Sequence, residues 1–176
     1  MILFKTPRLV VRYFTENDKA SFYRVAGSQE VMHYIRPIKS RVDSDQFLME
    51  NIRMYQSGSC IGRFAVFEKR TEHFIGTFSY LYLSGESDFH IGYALVKAAW
   101  SKGYASELVK GGIPYFFAHT NYSHLWAITD PHNIPSQKVL LKNGFSAEES
   151  RLEDGKEVHV FRIVKPEPAP TKFERK

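Results

Sequence analysis

At 176 residues, with 43% apolar residues, 24% charged residues and a formal net charge of +5, the chain has the make-up of one ordinary globular domain with a real core. No apolar run approaches the roughly 18 residues of a membrane-crossing helix, so no membrane partner is expected, and the lone Cys60 excludes an internal disulfide. The opening MILFKTPRLVVRYF lacks the order of a signal peptide, which makes a cytoplasmic location the expectation. The positive charge suits an anionic ligand, but it is spread along the chain without a recognition motif, so no specific nucleic-acid partner is expected.

Leu9 to Phe14 reads as a first strand. Thr15, with Asp18 three residues on, looks like a capping-box variant opening a helix over 16–27. A short helix is expected around Glu30 to Tyr34, ending before Pro37. Ser44 to Gln56 carries Phe47, Leu48, Ile52 and Tyr55 at helical spacing, with Gly58 as its end. Cys60 to Lys69 and His73 to Leu83 alternate and read as a hairpin; Ser87 to Val96 is the next strand. A long helix begins near Gly103, with Ala105, Leu108, Val109, Ile113, Phe116 and Phe117 as its apolar face. Gly111, Gly112 and Pro114 conflict with it, and a kink or early break is expected there.

His124 to Thr129 reads as a short strand, Ile134 to Asn143 as a helix, and 144–151 with 156–164 as a closing hairpin around Glu153-Asp154-Gly155. The Pro-rich charged segment from Lys165 to Lys176 is expected to be a disordered tail behind a single domain over 1–164. This order implies an α+β fold with a mixed sheet.

Two motifs carry chemistry. In IGYALVKAAWSKGYASE (91–107) an apolar strand leads through a short loop into a helix at Lys102-Gly103-Tyr104-Ala105-Ser106. Gly103 has no Cβ to keep a ligand away, and the first N–H groups of a helix have no partner inside it and bear partial positive charge. Together they suit a pyrophosphate. Downstream, Asn133 is a good N-cap whose amide can also bond a ligand's amides, and Ser136 lies one turn on.

Four pieces in order resemble the GNAT acetyltransferase superfamily, within it the ribosomal-protein serine/alanine N-acetyltransferase type. They are Thr6-Pro7-Arg8-Leu9-Val10-Val11-Arg12, Ile91-Gly92-Tyr93, the loop Trp100 to Glu107, and Asn133-x-x-Ser136 with Lys142-Asn143-Gly144-Phe145. The resemblance implies a splayed, mainly antiparallel sheet flanked by helices, holding acetyl-CoA between two central strands, with no metal. It implies that main-chain groups near Leu95 and Val96 bond the pantetheine arm like an added strand. Amides of Lys102, Gly103, Tyr104, Ala105 and Ser106 would hold the pyrophosphate, and Asn133 the pantetheine or acetyl region. Lys102, Lys138 and Lys142 remain alternatives for the outer phosphate.

The implied reaction is direct acetyl transfer to an amine, first of all a protein or peptide N-terminal α-amine. Small amines (amino acids, polyamines, aminoglycosides) and a non-catalytic acyl-CoA-binding module are the alternatives. A backbone N–H near Val96 would stabilise the oxyanion. Three departures shape the catalytic assignments. Leu140 stands where many members carry a tyrosine acid, so Ser136 becomes the candidate for protonating the thiolate. His90 stands where relatives often carry Glu, and with an ordinary pKa near 6.5 it becomes the candidate base. Trp100 replaces the usual Gln or Arg of the loop. Dimers are common in such families, so a homodimer is compatible with the chain.

Overall fold

The computed structural model describes residues 1–55, 61–83, 88–153 and 155–166. Strands β1 (Ile2–Lys5) and β2 (Leu9–Tyr13) pair antiparallel at the start. β2 is the expected opening strand, with Leu9 and Val11 turned fully inward. β1 is an addition: an ILFK segment is too short for its alternation to stand out. The Asp18 carboxylate then accepts from the Thr15 N–H at 2.8 Å and the Thr15 hydroxyl at 3.0 Å, and from both terminal nitrogens of Arg12 at 2.8 Å. This closes a 3-10 turn over Glu16–Asp18 that leads into α1 (Lys19–Ala26), followed by α2 (Gln29–Met32) and α3 (Arg41–Tyr55).

The remaining elements are β3 (Gly62–Glu68), β4 (Phe74–Tyr82), β5 (Phe89–Leu95), α4 (Tyr104–His119), β6 (His124–Thr129), α5 (Ile134–Lys142), β7 (Ser146–Ala147), β8 (Arg151–Glu153) and β9 (Lys156–Val164). The sheet runs β1-β2-β3-β4-β5-β6-β9-β7, with β8 added on β9. Every pairing is antiparallel except β5 with β6. This is the expected α+β class. The expectations at Gly58, Cys60 and Asp154, and for the tail from 167 onward, fall outside the described residues. Among those described, no helix is long and apolar enough to cross a membrane.

Side-chain alternation assigns the two faces. Tyr80 donates its hydroxyl to the Gly112 carbonyl of α4 at 2.6 Å, so the Phe78–Tyr80 side of β4 faces α4. Ser79, and Arg63 opposite it on β3, face the other way, toward α3. Helices α1 to α3 thus cover one face and α4 and α5 the other.

The break expected in α4 does not occur. The helix runs on through Pro114 to His119. Fully burying Leu108, Val109 and Phe116 contributes about 2 kcal/mol each, which together exceeds the roughly 3 kcal/mol lost at an interior proline. The glycines are contact positions. A Cβ on Gly112 would lie 2.6 Å from the Phe78 ring and 3.0 Å from the Tyr80 hydroxyl. An exposed helical Gly→Ala change normally stabilises by about 1 kcal/mol. Here the sign reverses: Gly112→Ala is expected to destabilise by about 1–3 kcal/mol through overpacking, read as a lower urea midpoint at unchanged m-value.

Candidate active site

β5 and β6 meet at a single parallel bridge, His90 with Trp126, and part toward their C-terminal ends. The Val96 N–H donates to the Ile75 carbonyl of β4 at 3.0 Å. Antiparallel ladders alternate, so Ile91, Tyr93 and Leu95 turn their main-chain groups away from β4, toward the gap. This corrects the expectation for Val96, whose N–H is committed inside the sheet. Leu95 is the residue whose N–H is aimed into the gap. Its carbonyl accepts from Trp100 Nε1 at 2.7 Å, which gives the unexpected tryptophan of the loop a structural task.

The loop after β5 takes left-handed backbone at Ser101 (φ 59°) and Gly103 (φ 79°) before α4 begins at Tyr104. The first intrahelical bond is Glu107 N–H to the Gly103 carbonyl at 3.1 Å. No described protein group accepts from the N–H groups of residues 102 to 106. These amides sit at the positive end of a 16-residue helix. A clamp fixes them. Glu107 accepts from the Thr6 hydroxyl at 2.6 Å, the Arg8 N–H at 2.7 Å and Arg8 Nε at 2.6 Å. Arg8 in turn donates to the Lys102 carbonyl at 3.0 Å and lies over the Tyr104 ring. Partial burial opposes ionisation of Glu107, but the hydrogen bonds from Thr6 and Arg8 hold its carboxyl below the usual range.

Thr6, Arg8 and Glu107 were not singled out as site residues. The signal for them was an acidic residue in the first turn of α4 facing a Thr-x-Arg turn. A cavity of about 500 Å³ opens beside this loop, lined by Lys102, Tyr104, Arg24, Arg70 and His73 among others. Lys102, Lys138 and Lys142 are all exposed, and of the three only Lys102 lines that cavity.

On the other side of the gap, Asn133 caps α5, its side-chain oxygen accepting from the Ser136 N–H at 3.3 Å. Ser136 Oγ lies 3.0 Å from the Tyr93 hydroxyl, a hydrogen bond that spans β5 and α5. Burial raises the Tyr93 pKa and the Ser136 contact opposes that rise. Asn143 donates to Ser106 Oγ at 3.0 Å and ties the start of α4 to the end of α5. Leu140 is fully buried in the core. The structure therefore gathers Leu95, Gly103 to Ser106, Asn133 and Ser136 around the parted strand ends.

His90 is on the opposite face. It is paired with Leu81, on the Ser79 and Arg63 side of the sheet. Burial lowers its pKa to about 4, and the charges of Arg63 and Arg151 add to the effect. His90 is thus neutral at pH 7, well below the ordinary value on which its expected role as a base rested. Trp126, beside it, has a buried Nε1 without a hydrogen-bond partner. No group of three or more metal-ligating side chains occurs among the described residues.

Residues 8–146 match the family described as the acetyltransferase (GNAT) domain. The N-acetyltransferase p20 of Bacillus licheniformis, itself uncharacterised, is 31% identical over 175 residues, covering 92% of this chain and 96% of that protein. YoaA of Bacillus subtilis (strain 168), also an uncharacterised N-acetyltransferase, is 26% identical over 173 residues, covering 93% and 97%. A GNAT-family acetyltransferase from Bacillus anthracis superposes with a TM-score of 0.80 at 23% identity, covering 93% and 98%. The ribosomal L7/L12 α-N-protein acetyltransferase RimL, in complex with coenzyme A, superposes with a TM-score of 0.78 at 15% identity, again over 93% and 98%.

The buried histidine has a consequence for stability. Between pH 6.5 and about 4 the unfolded chain binds a proton at His90 that the folded chain does not. Its contribution is therefore fully present above pH 6.5 and lost as pH falls toward 4. Replacing it by a neutral residue, His90→Gln, is expected to flatten the stability–pH curve over that window by up to about 3 kcal/mol. Urea melts of both proteins across pH 4–7 check this; parallel curves would show that the imidazole is not held neutral.

Proposed function

Because the chain belongs to the GNAT acetyltransferase family and is an acetyltransferase of that type, we propose that it moves an acetyl group from acetyl-CoA directly to an amine, the N-terminal α-amine of a protein or peptide. The observation that carries this reading is the run of unaccepted N–H groups at residues 102–106, placed where β5 and β6 part. Bound acetyl-CoA supplies a thioester whose carbonyl takes the amine and whose sulfur departs as a thiol.

The chain's own groups fit such a guest. The amides of Lys102, Gly103, Tyr104, Ala105 and Ser106 face a diphosphate, which needs donors and partial positive charge rather than a particular side chain. The strand edge that runs up to Leu95 offers the outward main chain of Tyr93 to the amide-bearing pantetheine arm; Leu95 itself keeps only its N–H, since Trp100 holds its carbonyl. The Asn133 amide nitrogen remains as a donor beside it, since only the side-chain oxygen serves as the cap. The Leu95 N–H, aimed into the gap, is the donor we assign to the carbonyl oxygen that gains charge. Ser136 protonates the departing sulfur, and the Tyr93 hydroxyl hydrogen-bonded to it replenishes the proton.

The amine must enter neutral. A peptide α-amine has a pKa near 8, so about a tenth is neutral at pH 7. The Arg63 and Arg151 charges that depress His90 act on an incoming ammonium in the same direction. Held at about 4, His90 does not keep a proton at pH 7, so we assign it the narrower task of accepting a hydrogen bond from that neutral amine, directly or through water, while the proton leaves to solvent. Support for a peptide acceptor comes from structural neighbours. One is described as acting on the L7/L12 α-amine and another as a ribosomal-protein-S5-alanine acetyltransferase, the latter at 20% identity and a TM-score of 0.76.

Two measurements test the reading. Thiol release from acetyl-CoA is followed over peptides with a free N-terminus, the same peptides with a blocked N-terminus and an internal lysine, and small amines. The free α-amine peptides are expected to lead by at least about tenfold; preference for lysine or small amines overturns the peptide assignment. Gly103→Glu is expected to weaken coenzyme A binding by about 100-fold or more while the fold persists, because it sets a carboxylate among the diphosphate donors. Unchanged calorimetric affinity would remove the anion site at α4.

A further inference from the structure

The face that carries His90 holds two partly buried guanidiniums that form no ion pair among the described residues. Arg63 on β3 lies opposite Ser79 on β4, which lies opposite Gly92 on β5, so the three form one row across the sheet. With strands about 4.8 Å apart, the arginine starts about 10 Å from the β5 backbone, on the side shared with His90. Its place is built from α3. The Asn51 side chain accepts from the Arg63 N–H at 2.8 Å and donates to its carbonyl at 2.9 Å, and the Tyr55 hydroxyl donates to that same carbonyl. The guanidinium stacks on Phe47, its carbon 4.8 Å from the ring centre, and that ring also carries Arg36 at 4.7 Å and Lys39 Nζ at 4.6 Å.

None of these three cations has an ion-pair or side-chain hydrogen-bond partner among the described residues, and Arg36 Nε is fully buried and unpaired. Burial lowers the pKa of Arg63 to about 10, and the neighbouring Arg36 adds to it; burial also lowers that of Arg36. Asp43 and Glu50 line the same cavity as Arg36 and Lys39 without forming an ion pair with them, and their carboxylates bond other groups. Asp43 accepts from Ser40 at 2.6 Å, Glu50 from Gln46 at 3.2 Å, Glu153 from Arg151 at 2.5 Å and Glu148 from Arg162 at 2.8 Å. Two desolvated like charges held against each other are costly unless an anion arrives.

We propose that the acceptor carries a carboxylate close to its amine, and that Arg36 and Arg63 hold that carboxylate while His90 faces the amine. The inference rests on the acetyl-transfer reading and narrows its acceptor to an N-terminus with Asp or Glu among its first residues. A guanidinium pair presents parallel N–H donors that match a carboxylate and leave an amide poorly served.

The test compares matched acceptors: peptides with Glu or Asp at the second or third position against Gln or Asn there, and free amino acids against their amides. The acidic peptides are expected to exceed their amide partners in kcat/KM by about tenfold or more, the size of one charged hydrogen bond. Arg63→Gln and Arg36→Gln are each expected to bring that ratio close to one, with coenzyme A affinity unchanged and the melting temperature not lowered. Arg63→Lys, which keeps the charge and loses the fork, serves if a glutamine variant folds poorly, and is expected to reduce the ratio in part. Equal use of acid and amide by the unaltered enzyme overturns the proposal. Preference for a free amino acid over every peptide keeps the arginine pair and discards the peptide. If no amine turns over, the acetyl-transfer reading fails by itself. Calorimetry of the acidic and amide peptides with coenzyme A then decides this one, equal affinities overturning it.

Discussion

The parting of β5 from β6 is the constraint from which the site follows. A sheet normally satisfies every strand by its neighbours, and unpaired main-chain groups appear only at its edges. Here one bridge joins two strands and the ladder then stops, which creates an edge in the middle of the sheet. The two halves stay together by other means. β6 is held along its whole length by β9, β5 by β4, and α4 and α5 are tied to one another through Asn143 and Ser106. Tyr93 and Ser136 bridge the opening itself. Because the strands cannot close on each other, Leu95 presents an N–H that no strand partner meets, and the loop that follows is free to turn its amides to the same opening.

The positive character of the chain separates into two regions with different physics. At the start of α4 the attraction comes from main-chain dipoles, and the nearest arginine is already balanced: Arg8 spends its charge on Glu107 and acts as a brace for the loop. On the opposite face the charge belongs to side chains and is not balanced. Burial already disfavours a proton on His90, and the charges of Arg63 and Arg151 lower its affinity further. A net charge of +5 would not reveal this division. It arises because β-strand alternation sends Arg63 and His90 to one face and Tyr93 and Leu95 to the other.

The order of elements and the loop at α4 were legible in the sequence because both rest on local signals: alternation, helical spacing, and a glycine at the one loop position that takes φ 79° before a helix. The features that were not legible depend on distance. Pro114 and the two glycines argued for a break in α4, yet the glycines are where Thr6, Phe4 and Phe78 press on the helix, and that packing decides. Val96 and Leu95 are adjacent in sequence, and which of them faces the gap is fixed only by register with Ile75. The His90 pKa departs from its ordinary value first through burial and then through Arg63 and Arg151, all of which depend on residues remote in the chain. Glu107 stood in the sequence only as the last residue of the loop motif, and its clasp on Thr6 and Arg8 spans about a hundred residues.

The absence of a tyrosine at position 140 has a structural counterpart. Leu140 is buried, so any polar group there would face the core. The hydroxyl that approaches the gap comes instead from the strand, at Tyr93, and reaches α5 through Ser136. A serine alone is a poor acid. Hydrogen-bonded to a tyrosine, it becomes the near end of a two-member relay whose donor can be restored from behind. In the proposed mechanism the amine and the departing sulfur then meet different groups on different faces of one sheet. That division asks little of either residue: His90 must only stay neutral to accept a hydrogen bond, and Tyr93 must only stay protonated. Burial drives both residues in that direction.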